Sequence, residues 1–115
     1  MHLANRCVLC NEDEESLEHI LSTCKYTKEI WASLHDVFLH LPFERGWNNW
    51  VNWASNKFKG KDTSAKVGRL TFCGLIYKIW RERNARIHEG ISHSPTYVHL
   101  EVVRMRSMLM ASIEI

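Results

Sequence analysis

The sequence predicts an all-α domain of about five helices with a Cys/His knuckle at its N-terminal end. Three observations predict it. Apolar residues recur at three- and four-residue intervals almost throughout, no two-residue hairpin signal separates apolar runs, and Cys7, Cys10, His19 and Cys24 fall together at metal-ligand spacing.

The elements follow in order. The acidic run Glu12-Asp13-Glu14-Glu15 leads into Leu17, Ile20 and Leu21, placing negative charge where a helix N-terminus favours it; this is a short first helix. From Thr27, the positions Ile30, Trp31, Leu34, Val37, Phe38 and Leu41 repeat at helical spacing until Pro42, which a helix interior excludes. Trp47, Trp50, Val51, Ala54 and Phe58 form a third stripe, ending before Lys59-Gly60-Lys61, and residues 57–63 read as a loop. Thr63 or Ser64 opens a long fourth helix to about Ile87, carrying Val67, Leu70, Thr71, Gly74, Leu75, Tyr77 and Ile79, and His88-Glu89-Gly90 stops it. Its first half is apolar almost all round, so it is expected to be the central, most buried helix, with Cys73 as a small buried hydrophobe. Ser94-Pro95 opens a last helix with Val98, Val102, Met105, Leu109 and Ile113 on its apolar face.

One domain of residues 1–115 is expected, with the knuckle at 7–24 and a helical remainder at 27–115. The chain has 115 residues, 45% hydrophobic and 24% charged, which suits a single small core and excludes a disordered chain. The start lacks an apolar signal segment, and no apolar run approaches the 18 or so residues of a membrane span. The chain therefore reads as intracellular, without a membrane partner, and nothing distinguishes nucleus from cytoplasm. In that compartment thiols stay reduced, and clustered Cys and His point to a metal.

Cys7-Val8-Leu9-Cys10 presents two thiolates from a tight turn, and His19 and Cys24 complete a Cys₃His set. A lone Cys-x-x-Cys fits a redox pair equally well; four ligands within one short segment fit one zinc ion. Such a site has no open coordination position, so its role is structural. His19 and Cys24 lie five residues apart, about 500° of α-helical rotation, so Cys24 is expected at or just past the helix end.

These residues resemble the zinc-binding domain that follows the polymerase in non-LTR retrotransposon reverse transcriptases, especially those abundant in plant genomes. The resemblance rests on Cys7-Val8-Leu9-Cys10, on Glu15-Ser16-Leu17-Glu18-His19-Ile20-Leu21 with Cys24, on Ile30-Trp31, and on Ile79-Trp80-Arg81-Glu82-Arg83-Asn84-Ala85-Arg86-Ile87. Together they span residues 7–88. The resemblance implies a helical segment before the first Cys that this chain lacks, so the chain reads as shortened at its N-terminus. It implies RNA or DNA as partner, and the reverse transcriptase or ribonuclease H domains of a parent element as further partners.

The charge pattern bears on the first partner. Residues 1–60 carry six basic and eight acidic side chains, net −2, and 61–115 carry nine and five, net +4. Between Lys57 and Arg86, nine basic residues face two acidic ones. Such a stripe binds phosphates by counterion release, and Lys78, Arg81, Arg83 and Arg86 are the candidate nucleic-acid contacts, of which Lys78, Arg81 and Arg86 fall roughly on one helical side as a single ridge. The competing reading is a solvated face whose arginines pair the acidic Glu12–Glu18 run. Trp47 and Trp50 read as core, as do Trp31 and Trp80, while Trp53 leaves its stripe and is the candidate for base stacking. No catalytic residues are found: His35, His40, His88, His93 and His99 are scattered and read as surface, and no paired carboxylates or glycine-rich phosphate loop occurs. The sequence thus points to a non-enzymatic zinc module that binds nucleic acid, or alternatively to a structural or protein-interaction module docking on a polymerase or ribonuclease H domain.

Overall fold

A computed structural model of the chain describes residues 6–38 and 46–113. The elements are a π-helical turn at His19–Thr23, then α1 (Lys25–Ser33), α2 (Trp47–Lys57), α3 (Thr63–His88) and α4 (Pro95–Ile113), with no strand among the described residues. The fold is all-α, as the periodicity predicts. No helix of the described residues is long and apolar enough to cross a membrane.

α3 is the axis on which the rest packs. It starts where Asp62 accepts a bond from the Ala65 N–H (3.1 Å), supplying the capping oxygen that the sequence assigned to Thr63 or Ser64. It stops at Gly90, whose φ of +69° turns the chain so that the Ile91 N–H reaches back to the Ala85 carbonyl (3.2 Å). α4 runs beside it, opened by Ser94, whose Oγ accepts from the Tyr97 N–H at 3.2 Å. Gly74 makes that contact close, because a Cβ there would collide with the thioether end of Met105. Gly68 does the same for the ring of Phe58 at the end of α2.

The core is aromatic. The Trp31 ring lies 4.8 Å from Trp50 and 5.4 Å from both Phe38 and Phe72, centroid to centroid, in tilted or edge-on arrangements of the kind aromatic pairs prefer. Leu34, Leu75, Ile79 and Val102 are fully buried around it. Val98 is buried, Met105 packs against the core, and exposure rises towards the end of α4.

Four expectations need correction. The second helix does not continue from Thr27 to Leu41: α1 ends at Ser33, and residues 34–37 form a turn, with Leu34 and Phe38 both buried; Leu41 and Pro42 lie outside the described residues. Trp53 is not free for bases, because it packs edge-on against Phe58 (5.6 Å) and Phe38 (6.3 Å). Cys73, Leu70 and Tyr77 are exposed and not core, because among the described residues α3 is covered on one side only, by α2, α4 and the knuckle. Trp80, expected on a buried face, is 39% exposed for the same reason. His40 and the Ile113 side chain lie outside the described residues.

Candidate metal centre

The first ligand pair sits on a tight loop. The Cys7 N–H donates to the Asp13 carbonyl and the Asn11 N–H to the Cys7 carbonyl, both at 2.8 Å, so the chain folds back on itself across the two cysteines. Asn11 takes a left-handed conformation (φ 58°), which Asn tolerates better than most residues. The second pair comes from the π turn. The Cys24 N–H donates to the His19 carbonyl at 2.7 Å, the five-residue bond that defines such a turn. This wider turn, followed by extended backbone at Cys24 (ψ 135°), resolves the five-residue spacing that an α-helix does not fit. Cys24 lies past the end of the turn, as its spacing predicts. Thr27 Oγ1 and Trp31 Nε1 donate to the Ile20 and Leu21 carbonyls at 2.5 and 3.0 Å, so α1 satisfies the π turn's backbone and holds its shape.

The four ligand atoms converge. One donor atom from each of Cys7, Cys10, His19 and Cys24 lies within 4.8 Å of all the others. The Cys7 and Cys24 Sγ atoms are 3.8 Å apart, and Cys10 Sγ is 3.3 Å from His19 Nε2. A zinc tetrahedron with Zn–S of about 2.3 Å and Zn–N of about 2.0 Å has edges of roughly 3.5–3.8 Å, so the donor set fits one zinc ion and the Cys7–Cys24 and Cys10–His19 pairs lie near those edges. His19 Nδ1 sits 3.0 Å from Thr23 Oγ1, which fixes the ring with Nε2 aimed at the thiols. Burial pushes the Cys7 thiol up and Cys24 up to about 12. Cys10 goes the other way: burial opposes ionisation there too, but backbone bonds from Asp13 and Glu12 bring it down to about 7. Cys7, Cys10, His19 and Cys24 would hold the ion, which would cross-link the loop to the π turn, the cysteines binding as thiolates after loss of their protons.

A comparison with protein families matches this segment. Residues 1–31 match a family described as zinc-binding in reverse transcriptase. The match spans the loop, the π turn and most of α1, and Cys7, Cys10, His19 and Cys24 all lie in it. No curated protein and no solved structure gives a significant match.

The match ends at Trp31, so the role of the Ile79–Ile87 block comes from geometry. Its arginines bind the knuckle. Arg83 grips Glu15 with two parallel bonds, Nε to Oε1 at 3.2 Å and Nη2 to Oε2 at 2.8 Å, which raises the guanidinium pKa further. Arg86 reaches under the loop, donating to the Val8 and Leu9 carbonyls between the two cysteines (3.3 Å each), to Glu82 (2.8 Å) and to the His93 carbonyl (2.9 Å). Glu82 is buried and accepts from the His93 N–H (2.8 Å), with His93 Nδ1 2.9 Å from its other oxygen. Burial opposes the Glu82 charge, but the Arg86 and His93 bonds hold its carboxyl below the ordinary value of 4.5. Tyr26 completes the network, donating to the His93 carbonyl at 2.8 Å under the Arg86 guanidinium.

The four predicted nucleic-acid contacts therefore do not share one surface. Arg83 and Arg86 are turned to the knuckle, Lys78 lies 3.8 Å from Glu101 on α4, and Arg81 alone of the four is exposed, without an ion pair among the described residues. Sequence reasoning missed Glu82, His93 and Thr23. Glu82 and Arg86 are an i, i+4 pair, a readable signal; His93 and Thr23 carry none, since only the fold brings them to their partners.

Proposed function

We propose that this chain is a non-catalytic zinc module derived from a retrotransposon reverse transcriptase, and that it binds RNA or DNA through phosphate contacts with little sequence preference. One observation carries the reading. Lys57, Lys59, Lys61 and Lys66 are exposed around the α2–α3 turn, and Asp62, the acidic residue among them, is engaged as the α3 cap. Arg69 stiffens the turn by donating to the Phe58 and Gly60 carbonyls. Phosphate contact thus belongs to this turn and to Arg81, while Arg83 and Arg86 serve the knuckle.

The test is salt dependence of binding by the zinc-loaded protein. Changing Lys57, Lys59, Lys61 and Lys66 to Ala lowers the slope of log K against log salt by about 0.7 per lysine for a single strand and about 0.9 for a duplex. Absence of binding at low salt contradicts the reading. A second reading, docking on a polymerase or ribonuclease H domain, is favoured by the apolar outer face of α4, where Tyr97, Leu100 and Val103 are 45%, 59% and 40% exposed. It predicts that a reverse transcriptase segment protects α4 amides from exchange.

A further inference from the structure

The uncovered face of α3 continues directly from the lysine turn. Lys66, Leu70, Cys73, Tyr77, Trp80 and Arg81 are all exposed. At about 100° per residue they fall within one stripe of roughly 100°, running some 22 Å along the helix. The large apolar members are well exposed: Leu70 48%, Tyr77 61% and Trp80 39%. The charges on and beside the stripe, Lys66, Arg69 and Arg81, are all positive. The Trp80 ring is held in place, because the Arg83 guanidinium lies 4.9 Å from its centroid and is itself pinned by the two bonds to Glu15.

An occupant of this stripe must offer negative charge along its length and flat apolar groups at intervals. Charge complementarity and two neighbouring exposed aromatic rings fit unpaired bases on a phosphate chain. A duplex offers the phosphates and keeps its base faces stacked inside. The geometry points to single-stranded nucleic acid as the preferred ligand, its bases stacking on Tyr77 and Trp80 while the lysine turn and Arg81 hold the backbone. This inference rests on the phosphate-binding reading and narrows it to one strand.

The experiment compares a 12-nucleotide oligo(dT) with a 12-base-pair duplex, titrated into the zinc-loaded full chain and followed by anisotropy and by tryptophan fluorescence. The expected result is tighter binding of the single strand, quenching that disappears in Trp80→Ala, and at least a roughly tenfold loss of oligo(dT) affinity in both Tyr77→Ala and Trp80→Ala. Tyr77→Phe keeps the ring and retains the affinity, and the salt slope is unchanged in all three. Both side chains are exposed, so unchanged melting of the variants shows that the fold is intact. Wild-type affinity of Tyr77→Ala and Trp80→Ala for oligo(dT) overturns the stacking platform while salt-dependent binding keeps the phosphate reading alive. No binding of either oligonucleotide at low salt removes both. A chain that is dimeric in wild type and monomeric in Trp80→Ala, with oligonucleotide binding unaltered, overturns the platform in favour of a contact between protein copies.

Discussion

Lys57, Lys59, Lys61 and Lys66 at the start of α3, and Arg83 and Arg86 near its end, belong to one basic stretch in the sequence and to two different machines in the structure. The lysines stand in water around a turn with one acidic neighbour, already used as a cap. The arginines are four-fifths buried or more, bonded to Glu15, Glu82 and the loop carbonyls between the zinc ligands. Net charge counts both groups alike. Their surroundings separate them: a guanidinium has the planar fork to satisfy carboxylates and carbonyls in a confined space, and an ammonium is better left hydrated. A positive segment thus holds a fold at one end and is free to meet phosphate at the other.

The largest effect expected on the knuckle side is loss of the metal. Structural zinc contributes about 10–16 kcal/mol of apparent binding free energy at neutral pH, comparable with or greater than the roughly 5–15 kcal/mol total stability of a small domain. Cys24→Ser is therefore expected to unfold residues 6–24, read as lost amide protection there. Zinc affinity also depends on pH. The Cys7 and Cys24 thiols carry protons at pH 6–7 whether the metal-free segment is folded or not, burial only raising their pKa further, so loading releases at least two protons, and affinity falls by about a hundredfold for each unit of pH decrease. Chelator competition at pH 6 and 7 checks it.

Next comes the buried pair. Glu82→Gln leaves Arg86 without its counter-charge at a site where Glu82 and Arg86 side chains are only 4% and 14% exposed, at an expected cost of about 3 kcal/mol in urea unfolding at pH 7. Because the Glu82 pKa is lowered in the fold, its contribution is present above its ordinary value of 4.5 and is lost as pH falls through the folded value. The gap between wild type and Glu82→Gln therefore closes in acid. A gap that persists at low pH contradicts the assignment.

Smaller effects sharpen the contrast within α3. Gly68→Ala meets the rigid Phe58 ring and should cost about 1–3 kcal/mol, whereas Gly74→Ala meets the flexible end of Met105 and should cost less. Smallest of all, each lysine-to-alanine change at the α2–α3 turn should move stability by no more than about 0.5 kcal/mol, as exposed positions do. Thermal unfolding of the single variants orders all of these.

The sequence made the ligand set and the helices legible because both are local. Cys7, Cys10, His19 and Cys24 announce themselves by spacing, α3 by its stop at Gly90 and α4 by its start at Ser94-Pro95. What it hid is long-range. The pairing of the arginines with the acidic Glu12–Glu18 run, the competing reading of the charge pattern, holds for Arg83 and Glu15, but nothing around Arg86 says that the Leu9 carbonyl lies across from it, a contact that spans 77 residues. The exposed face of α3 was hidden for a related reason. Leu70, Tyr77 and Trp80 have core chemistry, and only the placement of the other helices shows that none of them covers that side. The end of α1 at Ser33 carries no local signal, because Leu34, Val37 and Phe38 continue the helical spacing beyond it.

The central claim is that the end of α3 holds the zinc knuckle. Zinc affinity measured by chelator competition in wild type, Arg86→Ala and Arg81→Ala tests it most directly. Arg86 supports the loop between Cys7 and Cys10, so its loss should weaken zinc binding by about 10–100-fold, the range for residues that orient metal ligands. Arg81, five residues earlier on the same helix and exposed, should leave it unchanged. Equal affinities in all three proteins would contradict the account.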